Sequence, residues 1–171
     1  LISYTPESDF NGNAEFTFTV KDSGNNPERS IASQKFKMSV ISVNDAPQIT
    51  TNLLSTNEDT NVTLTSAVLD VSDVEDQGAI KIKITNMDNL NGSLVRINNS
   101  GNPVILAQNE VITISNINDN KIEYRPNDNF SGNAYFNFTA EDSSGMTIIN
   151  NQLNIEVVAA DDPGVISQKT L

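Results

Sequence analysis

The chain contains an internal repeat, which constrains its fold more than any other feature of the sequence. The segment "ISYTPESDFNGNAEFTFTVKDSG", from Ile2, is matched by "IEYRPNDNFSGNAYFNFTAEDSSG", from Ile122. At least nine identical residues recur at one constant offset, which takes Tyr4 to Tyr124 and Asp22 to Asp142. Chance does not produce so many identities in so short a segment. The chain is therefore built from tandem copies of one unit.

A second match fixes the organisation of these copies. "KFKMSVISVNDAPQI" aligns with "QLNIEVVAADDPGVI" at an offset three residues shorter, so that Asn44-Asp45 falls on Asp161-Asp162. Residues 1–45 are predicted to be the C-terminal strands of one repeat, 46–162 a complete repeat and 163–171 the start of a third. The chain starts inside a strand pattern, which indicates an excerpt of a longer protein. The first part leaves sheet edges that further strands or another chain would cover.

Apolar and polar residues alternate along most of the chain. "AEFTFTV" and "AYFNFTA" place their apolar residues on one face, and "IKIKIT", "VTLTSAVL" and "NQLNIEVV" alternate similarly. This period of two is typical of half-buried antiparallel strands, and no segment shows a helical period. Clusters of Gly, Asn, Asp and Pro separate the strands, as turns require. The complete repeat is predicted to be an all-β, antiparallel two-sheet Greek-key sandwich, immunoglobulin-like or cadherin-like, with about seven to nine strands.

Aromatic residues supply the predicted core of this sandwich. We expect Tyr124, Phe130, Phe136 and Phe138 to dominate it, because aromatic side chains bury the most apolar surface. The polar segments "DNLNGS" and "NINDNK" are interpreted as hairpin turns, since neither has the spacing of an EF-hand loop.

Composition narrows the possible functions. The 22 Asp and Glu outnumber the 10 Lys and Arg, for a formal charge of −12, which disfavours nucleic acid and anionic membranes as partners. The absence of Cys and His removes thiolate metal sites and His-dependent nucleophiles. The acids concentrate in linkers and turns and not in a cleft, so an enzyme is not predicted. Cation binding is the function that the charge favours.

Strand order predicts which acids share an end of the sandwich, because its loops cluster at two opposite ends. We call the end at which the complete repeat begins the upper end. The residues predicted to meet there are Asn44, Asp45, Asp73, Glu75, Asp76 and Asp142. The residues predicted at the lower end are Glu58, Asp59, Asp161 and Asp162, with Asp128 as a further candidate.

Crowded carboxylates repel one another unless a cation neutralises them. Ca²⁺ suits such a set because it accepts about six to eight hard oxygen ligands in adaptable geometry, whereas Mg²⁺ demands stricter geometry. Zn²⁺ has no His or Cys to select it. The sequence therefore predicts Ca²⁺ at the upper end and also at the lower end, although any single acid could equally be a solvated turn residue.

The chain resembles the cadherin-like tandem repeats of large bacterial surface proteins, including RTX-type adhesins. The resemblance covers the whole chain and rests on "VNDAP", "NEDT", "VSDVED" and "YRPNDNFSGNAYFNFTAEDSSG". In that family the matching positions bind Ca²⁺ between successive domains, which implies the same roles for Asp45, Asp73, Glu75 and Asp142. Two features depart from the pattern: the second linker reads "ADDPG", and "YRPNDNFSG" replaces the acidic motif that cadherins carry before their late strands.

The resemblance implies a calcium-dependent structural and adhesive segment of a long, secreted, cell-surface protein. Ca²⁺ at the interdomain junctions would stiffen the chain, and the partners would be neighbouring repeats and a host, glycan or homophilic surface ligand. The alternatives are a carbohydrate- or protein-recognition module and a non-catalytic accessory domain of a secreted enzyme. The absence of Trp argues against sugar binding by aromatic stacking.

Overall fold

The computed structural model describes residues 2–22, 24, 30–76 and 78–161. The chain divides into two compact units, Leu1–Asn44 and Asp45–Leu171. Regular structure is almost entirely β-strand, and the described residues include no helix long and apolar enough to cross a membrane.

The first unit contains an antiparallel hairpin of β1 (Gly12–Lys21) and β2 (Ser30–Val40). Phe16 and Phe36 are paired across the two strands, and their ring centroids lie 5.3 Å apart. Phe16 is 36% exposed and Phe36 is 51% exposed. The hairpin therefore carries an aromatic face that its own two strands do not bury.

The described residues of the second unit form ten strands and one short helix. Their bounds are β3 (Gln48–Asn57), β4 (Val62–Leu64), β5 (Leu69–Ser72), β6 (Lys81–Asn86), β7 (Gly92–Ile97), β8 (Pro103–Ile105), β9 (Val111–Thr113), α1 (Ile114–Asn118), β10 (Ile122–Pro126), β11 (Gly132–Glu141) and β12 (Thr147–Val158).

These strands form two sheets. One has the order β5-β3-β12-β11-β6-β9, and the other has the order β4-β10-β7-β8. Among the described residues every strand pair is antiparallel except β12 with β3, in which Asn154 lies opposite Leu53. The first and last long strands of the unit, β3 and β12, therefore run in the same direction. The predicted all-β two-sheet sandwich is confirmed.

The core lies between the sheets and follows the alternation in the sequence. In β11, Ala134, Phe136 and Phe138 are buried, whereas the intervening Tyr135 and Asn137 are half-buried. Burying one large apolar side chain stabilises the fold by about 1.5–3 kcal/mol. Of the predicted core aromatics, Tyr124, Phe136 and Phe138 are fully buried, and Phe130 is partly buried against the core.

The segment "VTLTSAVL" was expected to be one strand but forms two. β4 pairs with β10 in one sheet, and β5 pairs with β3 in the other. A turn at residues 65–68 carries the chain across, and the backbone N–H groups of Val68 and Leu69 both donate to the Thr65 carbonyl at 3.0 Å. Because of this break, the described part of the repeat has ten strands, more than the seven to nine expected.

Two segments expected to be hairpin turns are connections between the sheets. "DNLNGS" joins β6 to β7, and "NINDNK" overlaps α1 and leads into β10, so each joins strands of different sheets. Thr113 caps α1: the backbone N–H of Asn116 donates to the Thr113 hydroxyl oxygen at 3.3 Å, and the Thr113 N–H donates to Asn116 Oδ1 at 3.0 Å. A helix of five residues is too short to display a helical period.

Candidate functional site

Strand pairing in the second unit gathers the acidic loops at its upper end. Gln48 pairs with Ser72, so the loop after β5 lies beside the residues that precede β3. Lys81 pairs with Glu141, so the loop before β6 lies beside the turn after β11. The upper end therefore consists of residues 45–47, 73–76 and 142–146.

Asp73 organises the loop after β5. Its Oδ1 accepts hydrogen bonds from the backbone N–H groups of Glu75, at 2.9 Å, and Asp76, at 2.8 Å. The Asp73 residue is only 7% exposed, and its Oδ2 is buried with no hydrogen-bond partner among the described residues. Buried carboxylate oxygens are normally hydrogen-bonded or bound to a cation, so this oxygen is a candidate ligand atom.

Two further hydrogen bonds connect this loop to its neighbours. The backbone N–H of Asp45 donates to Glu75 Oε2 at 3.4 Å, which joins the loop to the start of the unit. The backbone N–H of Ser143 donates to Asp76 Oδ2 at 2.6 Å, which joins the loop to the turn after β11. Three separate chain segments are thus connected through acidic side chains.

Asp142 begins the turn between β11 and β12 and is 1% exposed. Its Oδ1 accepts hydrogen bonds from the backbone N–H groups of Ser144, at 2.9 Å, and Met146, at 2.8 Å. The Asp142 N–H donates to the Met146 carbonyl at 3.1 Å. The carboxylate therefore holds this turn in place, which is a structural role that the sequence did not predict.

The structure places five of the six residues predicted at the upper end on three chain segments of the second unit that hydrogen bonds join. We call them the upper acids, and they are Asp45, Asp73, Glu75, Asp76 and Asp142. Asn44, the sixth, is the last residue of the first unit.

The lower end of the second unit contains a smaller acidic group. Glu58 is 8% exposed, and its Oε1 accepts a hydrogen bond from the Ala160 N–H at 2.7 Å. Asp59 Oδ1 accepts one from the Asn129 N–H at 2.9 Å, which joins the loop after β3 to the loop after β10. These two acids anchor neighbouring chain segments.

Other lower-end candidates are not brought into this hydrogen-bonded group. Asp161 and Asp128 are exposed. Asp162 lies outside the described residues.

The donor chemistry of the upper end fits a hard divalent cation, because carboxylates dominate it and Asp73 Oδ2 is buried with no partner in the described part of the chain. No three acidic side chains in residues 2–22, 24, 30–76 and 78–161 already form a metal cage. A bound ion would therefore need oxygens from the linker or backbone as well.

One acid near this end was not singled out from the sequence. Asp70 of β5 accepts a hydrogen bond from the Thr50 hydroxyl of β3 through its Oδ2. It occupies an outward position in "VLDVS", where an acid is indistinguishable from an ordinary solvated strand residue.

The two packed sheets define an immunoglobulin-like β-sandwich, whose loops carry acidic residues at both ends of the sandwich. The bacterial Ig domain family matches residues 44–158, and the chain belongs to that family. None of the curated proteins compared with the chain matches it significantly. Domains of this family are typically extracellular or surface-located and non-catalytic, which indicates a structural or adhesive repeat.

Proposed function

We propose that this chain is a calcium-dependent segment of a long, secreted cell-surface protein, in which Ca²⁺ at the junctions between repeats stiffens the chain. The role is structural and adhesive, as in the cadherin-like repeats of RTX-type adhesins. Its partners are the neighbouring repeats and a host, glycan or homophilic surface ligand. The observation that carries the proposal is the gathering of the upper acids on three chain segments that hydrogen bonds join.

Calcium is favoured by the chemistry of these residues. Each of Asp73, Asp76 and Asp142 already has one oxygen fixed by a backbone N–H, so the carboxylates are held before an ion arrives. Such preorganisation reduces the entropy lost on binding. The formal charge of −12 also favours a cation whose binding relieves repulsion between acids.

Binding would affect the mechanics of the chain because of where these acids lie in the sequence. Asp45 is the first residue of the second unit, and Asn44 is the last residue of the first. An ion held by linker residues and by the loops of a folded unit restricts the directions that the linker can take. A ligand that binds only the folded state also stabilises that state by mass action.

The lower end is the proposed position of the second junction. Glu58 and Asp59 support this assignment, because both are fixed by backbone N–H groups from other chain segments. Asp161 is the remaining described residue predicted at this end, and it is exposed.

Thermal unfolding and calorimetric titration of the whole chain with CaCl₂ test the proposal. Ca²⁺ at about 100 times its dissociation constant would stabilise the fold by about 2.7 kcal/mol per site. The melting temperature should therefore rise by several degrees and fall again on chelation. Glu75→Gln preserves side-chain size but removes one upper-end charge, so it should weaken the Ca²⁺-dependent rise.

Glu156→Gln is the matched control for the upper end, because Glu156 is exposed near the opposite end of β12 and loses the same charge away from the upper acids. The proposal is overturned if about millimolar Ca²⁺, the range of extracellular calcium modules, produces no binding heat and no change in melting temperature.

A further inference from the structure

The hairpin of the first unit has the same strand register as β11 and β12. Phe16 pairs with Phe36 as Phe136 pairs with Leu153, and each hairpin has a register shift after the second phenylalanine of its first strand. The register is kept although the chain has eight residues between β1 and β2 and five between β11 and β12. β1 and β2 are therefore the equivalents of the two central strands in the larger sheet of the second unit.

The face of the hairpin that carries its phenylalanines is covered in one unit and open in the other. In the second unit Phe136 and Phe138 are fully buried in a core to which β4, β7 and β10 of the facing sheet also contribute. In the first unit Phe18, the equivalent of Phe138, is 40% exposed. A cavity of about 420 Å³ opens over this face, and its lining residues are Ile2, Tyr4, Phe16, Phe18, Phe36 and Met38. We call this the aromatic face.

The chemistry of the aromatic face limits what can cover it. Its strand residues alternate along β1, from Ala14 to Val20, and along β2, from Gln34 to Val40, and none of them is charged. The ion pair of Lys35 with Glu15, at 2.6 Å, lies on the opposite face of the hairpin. Because burying a charge without a partner is costly, the aromatic face favours an apolar surface over a charged one.

The neighbours of these strands differ between the two units in the same way. β11 lies beside β6 and β12 lies beside β3, whereas the described residues of the first unit form only the two-stranded sheet of β1 and β2. Ile122–Pro126 is strand β10, between β4 and β7, but the matching Ile2–Pro6 forms no strand. Open sheet edges accept further strands. The described part of the first unit is therefore open at each position where the second unit has a neighbouring strand from residues 46–121.

We propose that the hairpin is an acceptor surface for the rest of an immunoglobulin-like repeat, a polypeptide segment equivalent to residues 46–121 of this chain. In the second unit that segment contains β3–β9 and α1 and leads directly into β10. The occupant therefore belongs on the N-terminal side of Ile2, and its contact with the hairpin is intramolecular. It places an antiparallel strand like β6 beside β1 and a parallel strand like β3 beside β2.

The occupant also brings a second sheet, in which Ile2–Pro6 takes the place of β10. Tyr4 has the position of Tyr124, so it is buried together with Phe16 when that sheet covers the aromatic face. The first unit then has a core of the same composition as the second. No acidic residue and no ion takes part in this contact, so the inference does not depend on the proposed calcium function.

Hydrogen exchange of the whole chain, with and without an added segment, tests the inference. A second copy of residues 46–121 is added directly before Ile2, which reproduces the order of a complete repeat and keeps residues 2–171. We expect the amides of β1 and β2 to slow to the exchange rates of the matching amides in β11 and β12, and Tyr4 to gain protection. Fluorescence of the dye ANS, which binds exposed apolar surface, should fall. A chelator is present throughout, so failure of the calcium proposal does not affect the result.

Two variants of the extended chain show which face of the hairpin is involved. Phe16→Asp puts a charge on the aromatic face and should abolish the added protection. Thr17→Asp is the matched control, because Thr17 is exposed on the opposite face of the same strand, and it should keep the protection. Unchanged exchange of the β1 and β2 amides on extension overturns the inference. A dimer of the extended chain in sedimentation that Phe16→Asp dissociates also overturns it, because a second copy then covers the face.

A second extended chain replaces the first if the first does not fold as a whole. In it, Phe36→Leu and Met38→Ile give the hairpin the side chains that Leu153 and Ile155 supply in the second unit. The added segment then meets the core side chains with which it already packs. If β1 and β2 are no better protected in this chain than in the unextended one, the inference is wrong.

Discussion

The Tyr124 hydroxyl donates a hydrogen bond to the backbone carbonyl of Leu90, at 2.9 Å, inside the core of the second unit. A longer contact of 3.3 Å reaches the Asn91 carbonyl. Tyr124 lies in β10, and its acceptors lie in the loop that crosses from one sheet to the other. One side chain therefore fills the core and also fixes the crossing between the sheets.

Tyr124→Phe is expected to destabilise the second unit. The substitution keeps the ring but leaves the buried Leu90 carbonyl without this donor, which costs about 1–3 kcal/mol. Urea denaturation followed by circular dichroism measures the loss. Tyr135→Phe is a comparison on a half-buried residue whose hydroxyl accepts from Asn89, and it should cost less. Equal stability of Tyr124→Phe and the wild type would contradict the role assigned to this hydrogen bond.

Burial of Tyr124 also predicts a loss of stability at alkaline pH. Burial raises the pKa of Tyr124 from 10.0 to about 12, because the ionised phenolate is poorly solvated in the core. The folded state therefore holds this proton more tightly than the unfolded state does. Its contribution to stability is complete below pH 10 and is lost as the pH rises through about 12. Urea denaturation across this range should show a decline that is smaller in Tyr124→Phe, and parallel declines would refute the assignment.

A glycine permits the close approach of β7 to β10 beside this tyrosine. A Cβ at Gly92 would lie 2.3 Å from the Arg125 carbonyl oxygen and 2.8 Å from Tyr124 Cε2. Backbone atoms cannot move aside cheaply, so Gly92→Ala should destabilise the unit by roughly 1–3 kcal/mol. Gly78→Ala is the control, since a Cβ there would have no neighbour within 4 Å. Thermal unfolding of the two variants compares them directly, and a similar melting temperature for both would be the opposing result.

The sequence predicted those elements whose side chains alternate over many residues. The pattern in β11 identified Phe136 and Phe138 as core residues, and both are fully buried. It could not reveal the change of sheet at residues 65–68 or the five-residue helix α1, because neither changes the local alternation enough to be seen. Burial also depends on tertiary context: Phe16 has the same motif as Phe136 but is 36% exposed in its hairpin.

The sequence likewise predicted which acids lie at the upper end but not how each carboxylate is bonded there. Strand direction alone indicated that Asp73 and Asp142 belong to one end of the sandwich. The sequence could not show that Asp73 Oδ2 would be buried without a partner, since that depends on which backbone N–H groups reach the other oxygen. Asp70 and Asn118 are far apart in the sequence, and only the tertiary fold places both residues beside one cavity.

A buried polar group in β12 provides the last prediction. Asn151 pairs with the fully buried Phe138, so its side chain points to the core side of the sheet. Its Nδ2 is buried and has no hydrogen-bond partner among the described residues. A buried donor without a partner costs about 1–3 kcal/mol, whereas an apolar side chain of similar size has no such cost.

Asn151→Leu should therefore stabilise the second unit by about 1 kcal/mol or more. Asn154→Leu is the matched control, because Asn154 is an exposed residue of the same strand and surface substitutions usually change stability by less than about 0.5 kcal/mol. Urea denaturation of both variants and the wild type measures the difference. If Asn151→Leu is less stable than the wild type, the amide has a stabilising partner such as a buried water, and its removal is the cause of the loss.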